Sequence, residues 1–528
     1  MSISGVPYLP VSIGRIGKYT TSEKGMEALK INVLPFISKR GTCGVRELSR
    51  LIAVFDKRGY EAVTAAFKMM ETLNYGRTDA FIMATIKSIE TAETLHQLKQ
   101  FIHESPIAIG QLFNRVLDKD RPLSSIIKNV AAIIDGRTYP PIENIREDDP
   151  LKIAEELIRM YDGAYAFVMA GKDLMIFGRD SVGLHPLYYG GNSRFFAVAS
   201  ELKALWRLGI KNYKSLPPGN LAIFNRETLD LKPVKTLKEW EVKYRPIEEA
   251  IRELESLLEQ SISERVGNLD RAALAFSGGL DSSLIALLLK RACVKVELIH
   301  VSLEGIKGAS QAEEIARKLD MPVHMRLYNE EDIKRELPLI LWIIEQPDPL
   351  KVSVGIPIHW VAETAASLGY RVLFAGQGAD ELFGGYKRYV NIYSSLGREE
   401  AIKAMVADVL QMHETNLERD YKICCYSGVE LRLPFMDYEL ANFALKLPIE
   451  LKLDPKGDRK ILLRKAAEKL GAPQQIVNMP KQAIQYSTGV NKALIKLAKS
   501  YKLGLKDYLK KIFDDMILEN FSRYNGEA

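Results

Sequence analysis

The sequence predicts a two-domain α/β chain, an N-terminal α+β sandwich followed by a doubly wound parallel sheet with a helical C-terminal part. Three observations predict it. The chain has 528 residues, enough for two to four domains at about 100–200 residues each. Between Leu51 and Phe224 short β-rich runs recur with few helical stretches, the texture of packed sheets. From Ala272 to Phe374 buried strands alternate with helices, the texture of a parallel sheet covered on both faces.

Residues 1–47 read as an irregular extension, punctuated by Gly5, Pro7, Pro10, Gly14 and Gly17. The first domain is expected over 48–236, with strands at 51–55, 107–112, 130–134, 165–170, 174–177, 195–199 and 221–224. Helices are expected near 61–73 and 153–160. Turn formers such as Gly171-Lys172-Asp173 and Gly190-Gly191-Asn192 separate the strands. Pro217-Pro218-Gly219 and the charged stretch 237–245 mark the end of this unit. The second domain is expected over 237–528. It opens with a helix, because Ile247, Ala250, Ile251, Leu254, Leu257, Leu258 and Ile262 share one face. Strands follow at 272–276, 296–301, 323–327 and 371–374, with helices at 284–291, 309–319 and 358–367. Beyond Ala401 the pattern is mainly helical.

Composition narrows the function. Lys and Arg number 73 against 67 Asp and Glu, a net charge of +6, too small an excess over this length to argue for nucleic acid or an anionic membrane. The longest uncharged apolar stretch, 337–344, is far short of the about 20 residues that span a bilayer. No secretory leader pattern is found, and the four cysteines form no CxxC pair, so a cytoplasmic protein is expected.

Three motifs carry chemistry. Ser277-Gly278-Gly279-Leu280-Asp281-Ser282-Ser283 lies between a buried strand and a helix. Its glycines let backbone N–H groups face a phosphate, its serines add donors at a helix N-terminus, and Asp281 suits Mg²⁺ beside the phosphate. Gly376-Gln377-Gly378-Ala379-Asp380-Glu381 follows the strand ending at Phe374 and should reach the same sheet edge, where Asp380 offers a second carboxylate. Glu430-Leu431-Arg432 would set Glu430 and Arg432 on one face of an extended segment. Lys460 precedes an apolar run and could neutralise a leaving pyrophosphate.

The ordered set SGGLDSS, GADELFGGY and ELRLPFMD resembles the asparagine synthetases, and the Gln377 loop with Pro480-Lys481-Gln482-Ala483-Ile484-Gln485-Tyr486 is more similar to their asparagine synthetase domain-containing branch than to the standard enzymes. The loop alone is shared with the ATP-pyrophosphatases. Residues 162–167, 179–189 and 199–203 resemble the glutaminase domain of the same family, so the likeness runs from about Leu51 almost to the C-terminus. The resemblance implies an N-terminal Ntn-hydrolase (class II glutaminase) sandwich and a C-terminal PP-loop domain. It implies ATP and Mg²⁺ as cofactors and, as substrates, aspartate or a related carboxylate with ammonia or glutamine. The carboxylate would be adenylated, pyrophosphate would leave, and ammonia would displace AMP. Ser277, Gly278, Gly279, Asp281, Ser282, Ser283 and Gly376 would bind ATP. Asp281 and Asp380 would hold the metal, Lys460 would stabilise pyrophosphate, and Glu430 with Arg432 would complete catalysis. Gln377 and Glu381 would line the acceptor and ammonia site. No nucleic acid or membrane partner is implied, and a homodimer is compatible with the reading.

Two departures stand out. The family glutaminase uses a terminal cysteine, whereas residue 2 is Ser2 and the first cysteine, Cys43, lies several residues too far upstream of the first strand. Cleavage before Cys43 would free one. The family Asn-Gly-Glu is matched by Asp135-Gly136-Arg137, and Arg-Gly-x-Asp by Gly76-Arg77-Thr78-Asp79, so the glutaminase half is expected to be inactive. In the synthetase half the family glutamate of the GEGADE loop is Gln377, which cannot act as a base. Glu430 is the expected substitute base, and Gln377→Glu is expected to keep or raise asparagine formation. Two other readings stay open: a β-lactam-synthetase-like ligase on another carboxylate, and a non-catalytic ATP-binding regulator.

Overall fold

The computed structural model describes residues 48–76, 78–127, 129–142, 149–237, 241–242, 244–306, 308–479 and 484–521, the side chains of 485–486 and 518–521 excepted. The N-terminal extension with Cys43, Arg77 of the Gly76–Asp79 motif, and part of the stretch 237–245 lie outside the described residues.

Two antiparallel sheets pack face to face in the first half. One has seven strands, with Arg50–Asp56 between Phe195–Ala199 and Ile107–Phe113, and Ala80–Ala84 and Ile89–Ala92 at one edge. The other has six, with Asp162–Ala170 between Val130–Tyr139 and Met175–Arg179. Alternate residues point inward, so Ala53, Phe55, Ile109, Val168, Phe177, Phe196 and Phe224 form the shared core. The helix Ala62–Leu73 covers the outer face of the first sheet and the helix Pro150–Met160 that of the second. The seven expected strands are all present. Short strands such as Ala80–Ala84 and Tyr188–Gly191 are additional, each too brief for its alternation to stand out.

The second half is built on five parallel strands in the order Val323–Tyr328, Lys295–Leu303, Arg271–Ala275, Val372–Phe374, Glu430–Arg432. In chain order that is 3-2-1-4-5, so the winding reverses between the first and fourth strands. Ligands bind at such a switch point, at the carboxyl ends of the strands. The phosphate loop leaves the first strand and the Gly376 loop leaves the fourth, so both flank the reversal. A helix absent from the sequence reading, Glu330–Ile344, follows the third strand. Pro338 interrupts its pattern, yet an Asn329 capping box starts it. The helix Pro349–Ser367 starts nine residues before the expected 358–367, with Pro357 inside it. Among the described residues no helix is long and apolar enough to cross a membrane.

Candidate active site

Gly278 adopts φ +72°, and a Cβ there would come within 3.0 Å of the Ala312 backbone, so only glycine lets the loop rest on the helix Gly308–Lys318. The Ser277 N–H donates to Ser282 Oγ at 3.3 Å, and the Gly279 N–H donates to Ser277 Oγ at 3.2 Å. The Ser282 hydroxyl donates to the Gly279 carbonyl at 3.3 Å. The loop is thus held by its own serines in front of the helix Leu280–Arg291, whose N-terminus favours an anion. Ser283 differs from expectation: it is wholly buried, behind the loop surface that Ser277 and Gly279 expose.

The second motif closes against the first. A Cβ on Gly376 would stand 3.1 Å from Asp281 Cβ. Lys460, buried at 2% exposure, joins the two motifs. Its Nζ lies 2.5 and 2.6 Å from the two Asp281 carboxylate oxygens and 2.7 Å from Asp380 Oδ1. Lys460 precedes the helix Ile461–Lys469 in a left-handed conformation, φ +56°, the kind of uncommon backbone state that clusters at functional sites. Gly385 makes room for this cluster. A Cβ there would fall 1.9 Å from Asp380 Oδ1 and 2.6 Å from Lys460 Cε. Gly385→Ala is therefore expected to displace both side chains and lower turnover about 10²-fold. Pyrophosphate release measured beside a thermal melt checks this, and unchanged turnover would refute the tight fit.

The residues present fit Mg²⁺. Among the described residues no group of three or more His, Cys, Asp or Glu side chains could hold a metal, but Mg²⁺ at nucleotide sites takes one or two carboxylates and fills its shell with phosphate oxygens and water. Asp281 and Asp380, both within bonding reach of one ammonium, are such a pair.

Gln377 and Glu381 are anchored rather than free. Gln377 Nε2 donates to Asp420 Oδ2 at 2.8 Å. Glu381 Oε1 accepts from the Tyr386 hydroxyl at 2.7 Å and from Asn416 Nδ2 at 3.0 Å. Asp420 and Asn416 were not singled out from the sequence. The signal available was a run of charges, Glu418-Arg419-Asp420, in a helix, Glu418–Ser427, that is buried almost throughout.

Glu430 departs from expectation. It begins its strand, paired with Val372, while Gln377 follows the end of the neighbouring strand. At a strand rise of about 3.3 Å per residue the two lie on the order of 15 Å apart. Glu430 accepts Arg137 Nε at 2.8 and 2.9 Å and Arg432 Nε at 2.6 Å. Burial pushes its carboxyl up, but Arg137 and Arg432 outweigh burial and hold it below the usual range. A carboxylate so held is a poor base, which argues against Glu430 as the substitute base. Arg432 pairs with Phe374 at the carboxyl end of the neighbouring strand, and its carbonyl accepts the Ala375 N–H at 3.2 Å, beside the Gly376 loop. The pairing of Glu430 with Arg432 itself is as the extended segment predicts.

The altered glutaminase motif lies on the other side of that ion pair. Arg137 also donates to Asp120 Oδ2 at 2.9 Å. Asp135, 1% exposed, accepts Gln111 Nε2 at 2.9 Å and meets His185 Nε2 at 3.1 Å. Gln111, Asp120, Asp135 and Arg137, with Ser49, Asn114, Tyr421 and Glu430, line an interdomain cavity of ≈ 1010 Å³. Gly136, at φ +105°, would drive a Cβ into the Ala164 carbonyl at 2.1 Å, so its glycine is a requirement of strand pairing.

Buried ion pairs lock the two halves together. Glu345 caps the short helix Leu202–Trp206, accepting the Leu202 and Lys203 N–H groups at 2.9 and 2.8 Å, and it pairs with Lys422 at 2.6 Å. The Ala199–Lys203 motif thus serves docking here. Glu418 pairs with Arg179 at 3.0 Å and accepts the Tyr188 and Ser215 hydroxyls, each at 2.6 Å.

The asparagine synthase family profile matches residues 253–403 and 393–527, and a glutamine amidotransferase domain profile matches 141–207. A protein of Methanocaldococcus jannaschii, assigned by name to the glutamine-hydrolysing asparagine synthetases, is 34% identical over 401 residues, covering 67% of this chain and 74% of its own length. The asparagine synthetase of Gallus gallus is 27% identical over 400 residues, 69% of each chain. Asparagine synthetase 2 of Arabidopsis thaliana is 27% identical over 438 residues, covering 76% of this chain and 73% of its own. By profile, by relatives and by the two domain folds, this chain belongs to the asparagine synthase family, ligases that form carbon–nitrogen bonds.

Proposed function

We propose that this chain is an ATP-dependent, AMP-forming ligase that converts aspartate to asparagine with free ammonia, and that its glutaminase-like half is catalytically silent. The observation that carries the reading is Lys460 clamped between Asp281 and Asp380 at the switch point of the parallel sheet. Ser277, Gly278, Gly279 and Ser282 form a self-braced loop at a helix N-terminus that favours ATP phosphates, with the Ser277 side exposed toward them. An oxygen of the aspartate β-carboxylate attacks the α-phosphorus, and the bond from phosphorus to the pyrophosphate oxygen breaks. Lys460 neutralises the charge growing on pyrophosphate. Mg²⁺ bound by Asp281 and Asp380 would supply Lewis-acid charge to the phosphate oxygens. The ammonia lone pair then attacks the acyl carbon, the bond to AMP breaks, and water takes the surplus proton.

Silence of the glutaminase half rests on the partners of its altered residues. Asp135 is engaged by Gln111 and His185, and Arg137 by Glu430 and Asp120, so neither offers the neutral donor or free carboxylate that a glutamine substrate needs. With ATP, aspartate and Mg²⁺, ammonium is expected to support asparagine and pyrophosphate formation, while glutamate release from glutamine stays near background. Robust glutamine hydrolysis would overturn the silent half. Pyrophosphate released with another carboxylate, and no amide from aspartate, would overturn the acceptor.

A further inference from the structure

We propose that Asp420 is the positioning residue that aims the Gln377 amide at the incoming nitrogen, so that a Gln377–Asp420 pair does here what a single glutamate does in related enzymes. The inference rests on the amide-ligase reading above. The Gln377 amide presents its nitrogen to Asp420 Oδ2 at 2.8 Å; burial pushes the Asp420 carboxyl up, and Arg419 and this amide bond favour the ionised form, which only accepts. Gln377 Oε1 is then turned away from Asp420. An amide oxygen accepts an N–H of ammonia and leaves the nitrogen lone pair free to attack, without removing a proton. A Cβ on the neighbouring residue, Gly376, would stand 3.1 Å from Asp281 Cβ, so the loop that carries Gln377 lies against the Ser277–Ser283 loop.

Asp420 is itself held in one pose. It is 0% exposed, and its second oxygen accepts Arg419 Nε at 2.7 Å. Arg419 Nη1 reaches the Thr415 carbonyl at 3.3 Å and Asn416 Oδ1 at 3.4 Å, and Asn416 passes the chain to Glu381. A hydrogen-bonded path therefore leaves the loop at residue 377 and re-enters it at 381. It runs through the π-helical turn His413–Leu417, a distortion common at functional sites. With Arg419 cationic and Asp420 anionic, the three groups sum to zero only if residue 377 is neutral. A glutamate at 377 would set two carboxylates against each other beside one guanidinium, in a buried place. This reverses the expectation from sequence that Gln377→Glu is harmless.

The test uses the full chain with ATP, aspartate, Mg²⁺ and ammonium, reading pyrophosphate and asparagine separately. Asp420→Ala also leaves the buried Arg419 without its carboxylate, so a thermal melt sets the temperature at which the variant is folded. There it is expected to keep aspartate-dependent pyrophosphate release and raise the KM for ammonium about tenfold, the equivalent of one lost hydrogen bond to a charged group. Gln377→Glu alone is expected to lose amide formation, and Gln377→Glu with Asp420→Ala to regain most of it. A double variant no better than Gln377→Glu, or a Gln377→Glu enzyme as good as wild type, would overturn the pairing. A wild-type chain that makes no amide from aspartate would instead overturn the ligase reading, and this inference with it.

Discussion

Lys460→Met is expected to slow pyrophosphate release from ATP and aspartate by about 10³–10⁵-fold, the range for removing a charge-stabilising cation from a phosphoryl-transfer site. The expectation follows from position. Lys460 Nζ sits within 2.7 Å of both Asp281 and Asp380, so the ammonium already occupies the point where carboxylates, metal and phosphates must meet. Methionine keeps the aliphatic stem and removes the charge alone. The two carboxylates would then face each other without their shared cation and would bind Mg²⁺ more readily in the absence of nucleotide. Three measurements separate this from a folding defect: pyrophosphate release, Mg²⁺ binding to the free chain, and a thermal melt. Wild-type pyrophosphate release in Lys460→Met would end the leaving-group role. Asp281→Ala provides the converse variant, in which the buried ammonium keeps Asp380 and loses two of its contacts.

The phosphate site was legible in the sequence because its determinants are local. A buried strand, two glycines, serines and a helix are contiguous, and the Gly376 loop follows the next strand of the same sheet. Lys460 was a candidate in the sequence only beside the neighbouring motifs, since a lysine at the start of a helix is ordinarily solvated. What makes it functional is burial between two segments 179 and 80 residues away in the chain. Glu430 was misplaced for a related reason. Its pairing with Arg432 depends on alternation along an extended segment, which sequence carries, but its level in the sheet depends on where that strand begins. Asp420 was missed because a charged run in a helix reads as a solvent face. The packing of Glu418–Ser427 against Pro349–Ser367, the Gly376 loop and the N-terminal half turns that run inward.

That same helix explains why a silent glutaminase half would be retained, and it yields the second large expectation. Glu418, two residues before Asp420, is gripped by the N-terminal domain through Arg179, Tyr188 and Ser215. Arg179 is 0% exposed. Removing the charge by Glu418→Gln would leave a buried guanidinium without its carboxylate and is expected to destabilise the chain by about 3–5 kcal/mol. Burial alone would raise the Glu418 carboxyl. Arg179, with His413, Lys422 and the Ser215 hydroxyl, overrides burial and brings it down to about 2 from 4.5. A carboxylate depressed on folding stabilises the native state at every pH above its unfolded value, and that stabilisation is lost as pH falls through the folded one. The wild type should therefore exceed Glu418→Gln by a constant margin from neutral pH down to about pH 5, with the gap narrowing only toward pH 2. Urea unfolding of both chains across that range measures the gap. A gap that changes between pH 7 and 5, or one below about 1 kcal/mol throughout, as for an exposed ion pair, would show that this contact does not brace the helix carrying Asp420.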